Sequence, residues 1–129
     1  MSINITEIAD AVSQVFADYC DDVVNAVNGA AEEVAKACAQ DLRQNSPKDS
    51  GRYARSWKVK RQRGTGGKTQ IWVVYNEKHY RLTHLLERGH LKAGGEDRVR
   101  AIPHIEPARD EAEAMFEQKA LEAIGRVTG

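Results

Sequence analysis

The residues of this chain that could carry chemistry are its histidines and one glutamate that lies between two of them. His84, Glu87 and His90 are spaced as HxxExxH. A zinc-binding helix of the HExxH type has its two histidines four residues apart so that both lie on one face, whereas His84 and His90 are six apart. A metal site formed by His84, His90 and His104 is an alternative, but no second cluster of ligands accompanies them. We therefore expect no catalytic residue, no metal and no cofactor, and an enzyme acting through His84 and Glu87 is the weakest hypothesis.

The glycine pairs and the cysteines also lack the spacing of known sites. Gly94-Gly95 is not followed by the Lys-Ser/Thr of a phosphate loop, and the GTGG run at 64–67 lies between predicted strands rather than before a helix. Cys20 and Cys38 fall in one predicted helix about 27 Å apart, whereas the Cα atoms of a disulfide lie within about 7 Å. We expect both thiols to be free, reduced and half-buried.

The first segment, residues 1–44, is predicted to form one long amphipathic helix. Its apolar residues recur every three or four positions. The pair Asn28-Gly29 often ends helices, but the step from Val27 to Ala31 stays in phase, so we expect a kink there at most. The apolar stripe comprises Ile5, Ile8, Val12, Val15, Tyr19, Val23, Val27, Ala31, Val34, Cys38 and Leu42.

This helix is too long for the domain that must cover it. About 40 helical residues span roughly 60 Å, whereas a compact domain of 129 residues is only about 36 Å across. The helix must overhang or bend, and the simplest cover for an overhanging apolar stripe is another copy of the chain. The candidate oligomer contact lies in the first turns, at Ile5, Ile8, Val12, Val15 and Tyr19.

Two predicted strands, residues 56–63 and 68–75, form a β-hairpin around the flexible turn at 64–67. Trp57 and Val59 alternate with basic residues, as in a strand with one buried face. The basic residues could form a solvated strand face, bind a polyanion such as DNA, or contact an acidic partner. The candidate contact residues at the tip and outward face are Lys58, Lys60, Arg61, Arg63 and Lys68.

Charge is unevenly distributed, although the net charge of the chain is zero. Residues 1–42 contain eight acids and one lysine, which gives −7, and residues 43–68 contain nine bases and one aspartate, which gives +8. Such a pattern favours contact between an acidic helix and a basic hairpin, within one subunit or between copies. The zero net charge argues against the competing hypothesis, a small nucleic-acid-binding protein that uses the basic hairpin. So does the absence of Phe or Tyr from the hairpin's outer face, where bases would stack.

The stretch after the hairpin is predicted to form a short helix, an exposed loop and a second amphipathic helix. Residues 80–86 have helical spacing, with Leu85 and Leu86 expected in the core. Pro107 is expected in the first turn of the second helix, residues 107–125. The loop between the two helices carries a histidine and basic residues as candidate contacts: His90, Lys92, Arg98 and Arg100.

These elements predict a single α+β domain over residues 1–129. It comprises a long N-terminal helix (1–44), an antiparallel sheet based on the β-hairpin within a hairpin and loop region (45–106), and a C-terminal helix (107–125). No run approaches the ~18 to 20 consecutive apolar residues of a membrane span, so we expect no membrane contact.

Several short motifs, taken in order and spacing, resemble the tail-completion, or head–tail joining, proteins of long-tailed bacteriophages. The resemblance covers most of the chain. The motifs are Ser46-Pro47-x-Asp49-Ser50-Gly51-x-Tyr53-x-x-Ser56, Tyr75-Asn76, Tyr80-x-x-x-His84-Leu85-Leu86-Glu87-x-Gly89-His90 and Pro103-His104-Ile105-x-Pro107-Ala108.

The resemblance implies a small non-enzymatic virion protein at the neck, between the head portal and the tail tube. Such a protein assembles in the host bacterial cytoplasm, forms a homo-oligomeric ring around the DNA channel and contacts other neck and tail-tube proteins. It implies that Leu86, Glu87 and Gly89 form a structural turn, and that the loop between His90 and Arg100 contacts a neighbouring ring. The basic hairpin has no counterpart in the family pattern, and contact with DNA or with an acidic partner remains open for it.

Overall fold

The computed structural model describes residues 5–48, 50–63, 70–91, 95 and 98–128, with the side chains of all of these except 5–13, 16, 63 and 98. The fold is α+β: a long N-terminal helix, antiparallel strands and a C-terminal helix, as predicted. In chain order the elements are α1 (Ile5–Asn45), α2 (Arg52–Arg55), β1 (Trp57–Arg63), β2 (Gln70–Asn76), α3 (Leu82–Arg88), β3 (His90–Leu91), β4 (Arg98–Val99) and α4 (Ile105–Thr128).

Helix α1 is continuous through Asn28 and Gly29, and its apolar stripe stays in phase across them. The surroundings of Gly29 are open, since a Cβ there would meet no atom within 4 Å. Its C-terminal half carries the residues that pack into the core, including Val34, Ala39 and Leu42. Both cysteines lie in α1 and are free, as predicted. The expectation that both are half-buried is wrong for Cys20, which is exposed because its part of α1 lies beyond the packed region.

The hairpin lies along the C-terminal half of α1. Strands β1 and β2 pair antiparallel, with Trp57 opposite Asn76 and Arg63 opposite Gln70. At one end the Arg43 guanidinium donates to the carbonyl oxygen of Trp57 at 3.0 and 3.1 Å. At the other end the backbone N–H of Gln70 donates to Asn28 Oδ1 at 3.3 Å. The two contacts place the hairpin over the section of α1 between residues 28 and 43.

Helix α4 packs antiparallel on the same half of α1. Small buried residues, Ala108 and Ala123, let the two backbones approach closely. Near the middle of the contact Lys119 Nζ lies 2.9 Å from Glu33 Oε1. Pro107 lies in the first turn, as predicted, because a proline there removes only an N–H that has no partner within the helix.

The core lies where α1, α2, β1 and α4 meet. Leu42, Tyr53, Trp57 and Ala108 form its buried cluster, and Leu86 is among the partly buried residues that pack against it. The expectation that Leu85 also faces the core is wrong, since Leu85 is 40% exposed. Consecutive helical residues differ by about 100° in direction, so the short surface helix α3 can direct only one of the two inward.

The region predicted as an exposed loop forms a small two-stranded arm, β3 paired with β4. It begins at Gly89, whose φ of 75° is readily adopted only by glycine. A Cβ at this position would lie 2.5 Å from the carbonyl oxygen of Val99, so glycine is also required by the close approach of β4. Among the helices the structure describes, none is long and apolar enough to cross a membrane.

Candidate assembly surfaces

The outer face of the hairpin combines lysines with apolar residues. Lys58 lies opposite Tyr75 and Lys60 opposite Val73, and residues paired in this way point to the same side of a sheet. Lys60 Nζ lies 5.0 Å from the centroid of the Tyr75 ring, a cation–π distance. Ile71 on the same face is 47% exposed. The expectation that this face carries no Phe or Tyr is therefore wrong, because the register turns Tyr75 outward.

The five basic residues predicted for the hairpin do not form one surface. Arg61 is exposed but pairs with Trp72, so it shares the face of Trp57 and not that of Lys58. Strand alternation is the reason, since residues of odd and even number project to opposite sides. Arg63 ends β1 opposite Gln70, its side chain lies outside what the structure describes, and Lys68 falls outside the described residues altogether.

Other basic residues do join Lys58, and the sequence prediction missed them. Arg52, Arg55, Lys58, Lys78 and His79 line an open pocket of about 350 Å³ at the base of the hairpin, with Ser56 and Glu77. The pairing of Trp57 with Asn76 brings the residues before β1 next to those after β2. In the sequence, basic residues lie just outside both predicted strands. Their proximity in the fold becomes apparent only when the two strands are paired. We call this pocket, with Lys58 and Lys60, the basic face.

Two of the four residues predicted for an inter-ring contact have described side chains. His90 is half-buried and Arg100 is exposed, and both lie at the base of the β3–β4 arm. His90 Nδ1 is screened from solvent and has no hydrogen-bond partner within the described part of the chain. Leu91 beside it is 57% exposed. Lys92 and the side chain of Arg98 lie outside the described residues.

Glu87 connects α3 to the start of α4, a role that the sequence prediction did not assign to it. Its Oε1 accepts the backbone N–H groups of His104 and Ile105, each at 2.8 Å, and its Oε2 accepts that of Glu106 at 2.9 Å. The first N–H groups of a helix have no partner within it, and residues 101–104 (AIPH) include none of the usual capping residues. A remote carboxylate therefore caps α4 and lets it begin at Ile105, two residues before the predicted start.

A buried hydrogen-bond chain extends this cap into the core. Burial, with a smaller contribution from the charge of Glu87, raises the pKa of Tyr53 to about 12, so its hydroxyl remains a donor. The hydroxyl oxygen lies 2.7 Å from His104 Nε2, and Nδ1 of the same ring donates to the carbonyl oxygen of Ile102 at 2.8 Å. These contacts are structural, because each donor and acceptor is used inside the fold.

The electrostatics of Glu87 follow from the same contacts. Partial burial raises the pKa of this carboxyl, but the hydrogen bonds from the three backbone N–H groups and the nearby His104 ring lower it more. The net pKa lies below the ordinary value of 4.5. Glu87 is therefore a charged structural cap, and the described residues contain no group of three or more His, Cys, Asp or Glu that could hold a metal ion.

The N-terminal part of α1 extends beyond its cover, as its length predicts. Val15 is 68% exposed and Tyr19 is 44% exposed. Both belong to the apolar stripe, so this part of the stripe has no cover within the described residues. Ile5, Ile8 and Val12 lie in the same helix, and their side chains are outside what the structure describes.

An apolar groove of about 430 Å³ lies beside the core. Cys38 and Leu42 of α1 line its floor, Trp57 and Val74 one wall, and residues of α4 the other. Its α4 wall is formed by Ile105, Arg109, Ala112, Glu113 and Phe116.

The chain matches the model of a known protein family. The model of a family described as "Bacteriophage HK97-gp10, putative tail-component" matches residues 8–89, which is 82 of the 129 residues. The chain belongs to this family. It is thus a member of a bacteriophage tail-component family, as its motifs predict. No curated protein and no solved structure matches the chain.

The matched residues of this phage tail component include α1 from residue 8, the hairpin and α3, and they end at Gly89. The long helix, the basic face and the capping residue Glu87 therefore all lie in the part that the family shares. The β3–β4 arm and α4 follow the matched residues, although Glu87 within them caps α4 and Gly89 lies close to the backbone of Val99.

Proposed function

We propose that this phage tail component completes the tail at the head–tail interface, where copies of it form a ring around the channel that DNA traverses. It acts as a structural protein and not as an enzyme, it assembles in the host bacterial cytoplasm, and it binds other neck and tail-tube proteins. The observation that carries this proposal is the overhang of α1. The chain belongs to a family of tail components, and the exposed apolar residues of α1 favour burial against a neighbouring protein.

The overhang favours assembly because exposed apolar residues in a row mark an interaction surface. Val15 and Tyr19 are about one helical turn apart in α1, and both are exposed within the part of the chain that the structure describes. A monomer would leave this surface in water, whereas a ring buries it once in every subunit.

The β3–β4 arm is the proposed contact with an adjoining ring. It lies between α3 and α4 in the chain, and Leu91 and Arg100 are exposed. Gly89, at its start, lies close to the backbone of Val99 in β4. In this proposal His90 and Arg100 contact the neck or tail-tube partner.

The basic face is the proposed contact for an acidic surface of a neighbouring virion protein. Ile71, Val73 and Tyr75 lie among its lysines, and Lys60 already covers the Tyr75 ring. A mixture of apolar, aromatic and basic residues is typical of protein interfaces, whereas a groove for single-stranded nucleic acid needs free aromatic faces. Direct contact with channel DNA is the second candidate, because Arg52, Arg55, Lys58 and Lys78 form a cluster able to bind phosphates.

Electron microscopy of purified protein mixed with tail tubes tests the proposed place in the virion. We expect added density at one end of the tube, in the form of a ring with a central opening. Tubes without protein are the control. Binding along the whole tube, or none, would contradict the head–tail role while leaving family membership untouched.

Charge reversal at the basic face tests which partner it meets. We expect Lys58→Glu with Lys60→Glu to abolish incorporation into particles while circular dichroism shows an unchanged fold, because both side chains are exposed. The matched control is Lys36→Glu with Lys48→Glu, which changes the net charge equally at exposed positions that do not line the basic face. Because Lys36→Glu also breaks the surface ion pair with Glu32, circular dichroism checks the fold of this control as well.

The same charge-reversal experiment also tests whether the basic face contacts DNA. If the double variant enters particles normally and only DNA delivery suffers, the basic face lines the channel. A gel shift with duplex DNA gives an independent test, since phosphate contact is independent of sequence and weakens steeply as salt rises. Normal assembly and normal delivery together would exclude both roles.

A further inference from the structure

The apolar groove is formed by three elements of the fold. Its floor is α1, and its two walls, the hairpin and α4, each pack on α1 separately. Trp57, Val74 and Phe116 give the walls an apolar lining. An amphipathic helix places its apolar residues in such a groove at intervals of three and four positions.

The same chain carries an amphipathic helical segment, the N-terminal part of α1, whose stripe residues Val15 and Tyr19 are exposed. The residues of α4 that line the groove run from Ile105 to Phe116, about 16 Å of helix, and the stripe from Ile8 to Tyr19 has about the same length. The segment and the α4 wall of the groove therefore match in length.

The segment is acidic, and one arginine lines the groove. Residues 5–24 contain five acids (Glu7, Asp10, Asp18, Asp21 and Asp22) and no base. At the groove, Arg109 lines the α4 wall beside Glu113. An acidic helix entering the groove would meet the Arg109 guanidinium at its edge.

A chain cannot fill its own groove with this segment. Val15 and Cys38 are 23 residues apart in one continuous helix, which separates them by about 35 Å. The segment points away from the groove of its own subunit, so an occupant with this sequence must come from a second copy.

We propose that the N-terminal segment of α1, with Val15 and Tyr19 at its exposed part, docks in the apolar groove of a neighbouring copy. This inference rests on the self-association in the proposed function and names the two surfaces that meet. Because helix and groove are different parts of one chain, the contact is heterologous and repeats around a ring. The contact forms in solution between purified copies and needs no other virion protein.

Disulfide trapping between Val15→Cys and the native Cys38 tests this contact. Cys20→Ser is included so that no other thiol is present, and mild oxidation follows at the concentration at which the protein associates. The new bond can join only different copies, because about 35 Å separates the two positions within one helix. We expect covalent oligomers that form a ladder on a non-reducing gel.

Two controls make the result specific. Ala17→Cys in the Cys20→Ser background places a thiol on the opposite side of the exposed helix, and we expect on the order of tenfold less product, since disulfide geometry is restrictive. Adding Cys38→Ser to the Val15→Cys variant should abolish the ladder. Without any new cysteine, alkylation of Cys38 in the Cys20→Ser protein should slow as the concentration rises, because docking covers the groove.

The outcomes separate this inference from the proposed function. Oligomers without the cross-link, and with Cys38 equally reactive at all concentrations, overturn groove docking but leave the ring intact. A strict monomer at all concentrations also overturns it, while density at the tube end would still support the head–tail role. A product that stops at the dimer supports docking by reciprocal exchange and contradicts the ring.

Discussion

Glu87 shows how a single side chain can set where a helix begins. A glutamate in a short surface helix would ordinarily be solvated, but here its two oxygens accept three backbone N–H groups at the start of α4. The contact joins residues 17 to 19 positions apart in the sequence. The network continues through His104 to Tyr53, so the cap and the core stabilise each other.

Replacing Glu87 should weaken the fold in a pH-dependent way. We expect Glu87→Gln to lower the free energy of unfolding at neutral pH by about 1–2 kcal/mol, because a neutral amide caps the helix less well than a carboxylate. Urea denaturation measures this, and Glu117→Gln at an exposed position of α4 is the control, with little change expected.

The sign of the pH effect follows from the lowered pKa of Glu87. A carboxyl with a lower pKa in the folded state contributes stability above its unfolded value of 4.5, and this contribution is lost as pH falls through its folded pKa. The difference between wild type and Glu87→Gln should therefore be largest above pH 4.5 and shrink below it. A difference that is constant at all pH values would contradict the charged cap.

At the scale of elements, each helix uses only part of its apolar surface for packing. In α3 no residue is fully buried, and Leu86 contacts the core while Leu82 and Leu85 are each 40% exposed. In α1 the C-terminal half is covered by two elements and the N-terminal part is not. Apolar residues in a helix therefore indicate that it is amphipathic, and the neighbouring elements decide which of them become core.

The two adjacent leucines of α3 allow a direct test of this arrangement. We expect Leu86→Ala to destabilise the protein by about 1–3 kcal/mol, somewhat less than at a fully buried site, because Leu86 is only partly buried. Leu85→Ala removes the same atoms from an exposed position and should cost under about 1 kcal/mol. Equal losses in thermal or urea unfolding would mean that α3 packs on a different face.

At the scale of the whole molecule, the chain has a packed region and an extension. The packed region is built on α1 between Asn28 and Arg43, and the extension is the helix that precedes it. Apolar residues in water reduce the stability of an isolated copy relative to an assembled one, and association stabilises the folded state by mass action. In the proposed ring, this extension is the part of the molecule that a neighbouring copy covers.

The apparent stability should therefore depend on concentration. We expect the Tm to rise by about 2–6 °C for a tenfold increase in protein concentration, as for a protein whose folded state associates. Val15→Asp should reduce this dependence, because it places a charge in the exposed stripe. Ala17→Asp adds the same charge on the opposite side of the helix and should leave the dependence intact; a Tm that does not change with concentration would contradict self-association.

The sequence by itself determined the elements that depend on local patterns. The period of its apolar residues predicts one long helix over residues 1–44, and α1 ends one residue later, at Asn45; alternation predicts the hairpin, and Pro107 marks the first turn of α4. The motifs also carried enough order and spacing to identify the family. These features need only neighbours within a few positions, so they can be read without a fold. The assignment of residues 1–129 to one domain, and the contacts proposed for His90, Lys58 and the first turns of α1, stay predictions.

Only the tertiary structure decided how distant residues meet. Strand pairing brought Arg52 and Lys78 together, which no single strand reveals. The exposure of Leu85 and of Cys20 depends on where other elements pack. The cap by Glu87 joins two segments that have no pattern in common, and the apolar groove exists only between three elements at once. Contacts of this kind are set by the geometry of the whole chain, because a residue's type limits what it can bind but does not specify which distant partner the fold brings to it.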